Sequence, residues 1–123
     1  MARFLALLLA IALAGCGSSD PAGSHSAAGV KAAAREFAAD VRAGRFSAAC
    51  EGITAGARAE LNRMQGGCPG ATEYYYLFLR GEFGNWLQRV LPNIQVEGET
   101  AVYEGSVEAR YEQGRWRLEN TVW

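Results

Sequence analysis

The hydrophobic pattern of this chain changes its period once, near Pro92, and that switch restricts the fold more than any motif does. Before it, apolar residues recur at three- and four-residue spacing, which marks helices with one buried stripe. After it they alternate, which marks strands with one buried face. Helices collected ahead of strands predict an α+β fold, with N-terminal helices packed on the apolar face of a C-terminal antiparallel β-meander.

The helical part reads as several pieces. Residues 27–42 place Val30, Ala33, Ala34, Phe37, Ala38 and Val41 on one face, and Gly44 is a stop. A short helix over 46–51 follows, with Ser47 as its cap, and Thr54 caps another that ends at Gly66-Gly67. Thr72 is expected to cap a long helix with Tyr75, Leu79, Phe83, Trp86, Leu87, Val90 and Leu91 on one stripe, stopped by Pro92. Gly81 and Gly84 weaken that helix, and three tyrosines with Phe78 offer a competing strand over 74–80.

Beyond Ile94 and Val96, a turn at 97–99 leads into one long strand. It places Ala101, Tyr103, Gly105, Val107, Ala109 and Tyr111 on the core face, with Glu104, Glu108, Arg110 and Glu112 opposite. Gly105 reads as a bulge or bend within it. Gln113-Gly114 is a hairpin signal, after which Trp116, Leu118 and Val122 alternate with polar residues, making three strands in all.

The amino terminus carries a separate message. Arg3 precedes an apolar run of eleven residues, too short for the ~30 Å bilayer core and therefore an export signal. It ends in Leu13-Ala14-Gly15-Cys16, which resembles a bacterial lipobox: small residues before the cut and a thiol immediately after it. That thiol takes a diacylglyceryl thioether, and the freed amine takes a fatty acyl chain such as palmitate. Several chains hold a protein to a bilayer where one does not. The expected organisation is a signal peptide over 1–15, a flexible tether over 16–27 rich in Gly and Ser, and one α+β domain over 28–123. The expected location is the extracytoplasmic face of the cell membrane.

With Cys16 assigned to lipid, Cys50 and Cys68 remain. An even pair in an exported chain favours a disulfide; two buried thiols and a redox pair are the other states open to it. His25, the only histidine, sits in the tether without a Cys, Asp or Glu cluster, so no metal site and no cofactor is expected. A net charge of -1 gives no footprint for nucleic acid. The chain lacks a Gly-rich phosphate loop, a Ser-x-x-Lys motif and a Cys-x-x-Cys motif, so no catalytic residues are assigned. Tyr75, Tyr76, Tyr103 and Tyr111 are candidate hydrogen-bond donors to a ligand, and Trp116 a candidate stacking surface; core packing is the competing reading of each.

The stretches AGRFSAACEGITAGARAEL and VEGETAVYEGSVEARYEQGRWRLENTVW behind a lipobox resemble actinobacterial lipoproteins of the nuclear-transport-factor-2-like (SnoaL-like) superfamily. The resemblance spans about residues 28–123. It implies a cone-shaped, cystatin-like curved sheet with helices over its concave side, often around an apolar pocket. Usual members have four or more strands, against the three read here. The function expected from all of this is a lipid-anchored, non-catalytic envelope domain that binds a small apolar ligand or a protein partner. A small isomerase- or dehydratase-like enzyme of the same fold and a structural envelope lipoprotein are the alternatives, and fold alone does not choose among them.

Overall fold

The computed structural model describes residues 20–119; the segment expected as an export signal, Cys16, Thr121 and Val122 lie outside the described residues. Among the described residues four α-helices precede a four-stranded antiparallel sheet, so the chain is α+β with its helices first. Helix α1 (Ala27–Arg42) starts where the Ser26 hydroxyl accepts from the Gly29 amide and buries the six apolar residues of its stripe. Gly44, at φ 74°, ends its last turn in the left-handed region. Helix α2 (Phe46–Glu51) has no side-chain cap, and Ser47 lies inside it. Helix α3 (Ala55–Asn62) is capped by Thr54, whose hydroxyl accepts from the Ala57 amide.

Helix α4 (Gly67–Arg89) occupies the stretch where a strand over 74–80 competed. It begins five residues before Thr72, because Gly66 and Gly67 turn the chain at φ 82° and 64° directly into the helix. Thr72 is therefore buried inside it, its hydroxyl 3.5 Å from Cys50 Sγ and 3.8 Å from Cys68 Sγ. Those two cysteines form a disulfide that ties α2 to α4. Phe37 of α1 meets Phe83 of α4 edge to face at 5.4 Å, and Phe83 stacks on Trp86. A 3-10 turn (Leu91–Asn93) containing Pro92 leads to the sheet.

The sheet runs in sequence order through β1 (Gln95–Glu97), β2 (Thr100–Tyr103), β3 (Ser106–Glu112) and β4 (Arg115–Leu118). There are four strands rather than three, because the expected long strand is broken at Glu104-Gly105. Both residues lie in the left-handed region, at φ 49° and 79°, and Tyr103 pairs with Ser106 across them. This is the two-residue turn that Gln113-Gly114 repeats, at φ 53° and 80°. Within β2–β3, Ala101 faces Ala109 while Val102 faces Val107, so Glu108 is an extra residue. The turn reverses which side the alternation presents, and the bulge reverses it back. Ala101, Ala109 and Leu118 consequently share the helix-covered face, whereas Val107 does not and Glu108 turns inward.

One edge of the sheet is covered. The Thr54 amide donates to the Leu118 carbonyl at 3.0 Å, and the Leu118 amide donates to Gly52 at 2.8 Å. The other edge is β1, only three residues long.

The segment expected as tether departs from that expectation over its described part. Pro21–Gly23 form a 3-10 turn, Ala22 is buried, and residues 24–26 lead directly into α1. What makes this possible is an aromatic seat on the sheet, described next.

Candidate functional site

The five aromatic candidates do not converge on one site. Trp116 is fully buried, and its indole N–H donates to the Ser24 carbonyl at 2.9 Å. The Tyr111 hydroxyl lies 2.7 Å from the Gly23 carbonyl and 3.0 Å from that of Gly114. His25 stacks flat on Tyr111 at 4.2 Å and meets Trp116 edge-on at 5.7 Å, with Nε2 2.9 Å from the Gly98 carbonyl. These three rings fasten the chain's entry to the sheet and are consumed in doing so. His25 is a structural contact rather than a tether residue; Trp116 has no face left for a ligand, and one face of the half-buried Tyr111 is taken by His25.

The other three tyrosines stand apart from one another. Tyr76 lines a void of about 10 Å³ with Phe37, Val41, Thr72 and Phe83. Drug-sized ligands need several hundred Å³, so the core at this point is filled by its own side chains. Tyr75 lines an open groove of about 640 Å³ between α3 and α4, beside Leu61 and Met64. Tyr103 lines another, of about 610 Å³, on the outer face of β1–β3 with Val102, Val107 and Glu97.

A buried carboxylate was not legible in the sequence. Glu108, expected opposite the core face, is 5% exposed and accepts the indole N–H of Trp86 at 2.9 Å. Its pKa is raised above the ordinary value, chiefly by burial; hydrogen bonds from Trp86 and Ser106 oppose the shift and the charge of Glu119 adds to it. Among the described residues no group of three or more His, Cys, Asp or Glu side chains is placed to hold a metal ion. No helix among them is long and apolar enough to cross a membrane.

The remaining unusual feature is on the outside of α4. Tyr74, Leu77 and Phe78 are 55%, 58% and 70% exposed, and they occupy adjacent turns at i, i+3 and i+4. The Tyr74 and Phe78 rings are 4.7 Å apart, so the residues form one continuous strip. Around Gly81, one turn further on, space is open. No protein family, curated protein or solved structure matches this chain. A signal for the strip was present in the sequence: with Tyr75, Phe83 and Trp86 assigned to the core, Tyr74, Leu77 and Phe78 fall on the opposite side of the same helix.

Proposed function

We propose that this chain is a lipid-anchored, non-catalytic binding domain of the cell envelope, and that it binds a protein partner through the outer face of α4. The observation that carries the reading is the strip of Tyr74, Leu77 and Phe78. Scattered exposed apolar residues are ordinary on a protein surface; three grouped on adjacent turns of one helix, with Tyr74 and Phe78 in ring contact, are the mark of an interaction site. The filled core beside Tyr76 supports a protein partner over a small apolar ligand. The lipid part of the reading rests on Leu13-Ala14-Gly15-Cys16, with the extracytoplasmic face of the membrane as the location. Its assignment to the nuclear-transport-factor-2-like lipoproteins is supported by the helices ahead of a four-stranded meander and by the Cys50–Cys68 bridge.

Two measurements test the proposal. Intact mass of the chain extracted from bacterial membranes should show cleavage before Cys16 with diacylglyceryl and acyl additions, and Cys16→Ala should release the chain from membranes. A photo-reactive side chain at Tyr74 should cross-link to protein, and Leu77→Ser with Phe78→Ser should abolish that while leaving the unfolding free energy within about 0.5 kcal/mol of wild type. An unmodified Cys16, or cross-linking indifferent to the double substitution, would overturn the corresponding half.

A further inference from the structure

Resting on that reading of α4, we infer that the partner is a second copy of this chain, paired antiparallel through the same helix. The strip is flanked on one side by Glu73 and Arg80, both exposed and seven residues apart. Neither forms an ion pair among the described residues. At 100° per residue both stand on the same edge of the strip, one near each of its ends. A two-fold axis between Tyr76 and Leu77 inverts the second helix, so that Glu73 of each copy lies level with Arg80 of the other. In the same register Tyr74 lies level with Phe78 of the other copy to within about 2 Å. Leu77 lies beside its own counterpart, also to within about 2 Å, at 1.5 Å rise per residue.

Parallel pairing would instead put this edge of the two copies on opposite sides of the seam, leaving Glu73 and Arg80 without each other as partners. Charges flanking an apolar seam choose orientation in this way in paired helices. The other edge of the strip carries Glu82 and Arg89, which in the antiparallel register lie beyond the apolar contact. Three side chains per copy make a small interface, so the pairing belongs to the weak, reversible class.

The test uses the full chain in bacterial membranes. Leu77→Cys and, separately, Gln88→Cys are introduced at exposed positions and oxidised, and dimers are read on a non-reducing gel. Antiparallel pairing gives a Leu77→Cys dimer and none for Gln88→Cys, since the two Gln88 positions then lie roughly 35 Å apart along the helices. In the Leu77→Cys background, Glu73→Arg should lower the yield about tenfold, and adding Arg80→Glu should restore it to within about twofold. Cross-linking at both cysteines would mean parallel pairing and would overturn the register. If Leu77→Cys stays monomeric while the photo-reactive group at Tyr74 captures a different protein or lipid, the second-copy inference fails. The binding-face proposal survives the first of those captures and not the second. A monomer with no capture of any kind overturns both.

Discussion

Glu108 offers the sharpest test of the fold's energetics. Removing its side chain in Glu108→Ala leaves the Trp86 indole N–H without an acceptor in a place where Trp86 is 6% and Glu108 5% exposed. An unsatisfied buried donor costs about 1–3 kcal/mol, which for a domain of this size lowers the thermal midpoint by roughly 5–20 °C. Glu108→Gln keeps an acceptor oxygen and the volume but cannot ionise. Because burial raises the folded-state pKa, between the unfolded and the raised folded value the native chain holds a proton that the unfolded chain has released. Stability is therefore full below the unfolded value of about 4.3 and falls as pH rises through the raised folded value. Glu108→Gln should lack that decline, so its stability relative to wild type should increase with pH. Thermal unfolding of the Cys16→Ser chain and these variants, at several points from about pH 4 to 8, measures both effects. Parallel pH profiles for wild type and Glu108→Gln would refute the argument about burial. Equal stability of Glu108→Ala and Glu108→Gln would refute the role assigned to the indole bond.

Other outcomes follow from the same packing. A Cβ at Gly29 would stand 1.9 Å from the Ser24 carbonyl oxygen and 2.8 Å from Trp116 Cδ1. Gly29→Ala should thus cost at least about 2 kcal/mol in denaturant unfolding and expose Trp116 to solvent, visible as a red-shifted fluorescence maximum. Gly81 and Gly84 have open space around them inside α4, and replacing either by Ala should stabilise the domain by about 0.5–1 kcal/mol. Replacing Cys50 and Cys68 together by Ala should lower stability by about 3 kcal/mol, the loop-entropy value for a separation of 18 residues. A double variant as stable as wild type would count against that bridge.

Where one periodicity ran undisturbed, the sequence was a sufficient guide. The buried stripe of α1, the Thr54 cap and the Cys50–Cys68 bridge all appear as expected. The sheet was harder for a definite reason. A two-residue turn at Glu104-Gly105 and a bulge at Glu108 each invert the alternation, and together they cancel. Counting every second residue thus reaches Ala109 and Tyr111 correctly after two unseen events, but it misplaces Val107 and Glu108. It also puts Tyr103 on the core face although it lines the outer groove, and reads Glu104 and Gly105 as strand although they form the turn. Glu-Gly also lacks the strong turn signature that Asn-Gly or Asp-Gly supplies. Residues 20–26 were misread because their order comes from distant partners: Trp116, Tyr111 and Gly98 supply the contacts that a Gly- and Ser-rich segment cannot make alone. The tyrosines were identified as important, but composition carried no information on which would meet one another.

Fastening Ser24 to Trp116 has a further consequence once Cys16 holds lipid. Only residues 17–19 then separate the anchor from Asp20, a reach of about 14 Å at full extension. With the proposed lipid on Cys16, the domain would be confined to a thin sheet of space above the bilayer, where neighbours meet by lateral diffusion. A contact too feeble to hold in dilute solution becomes populated there, because confinement raises the local concentration of each copy seen by the next. The density of the protein in its membrane, rather than the strength of its surface, would then set how often two domains touch.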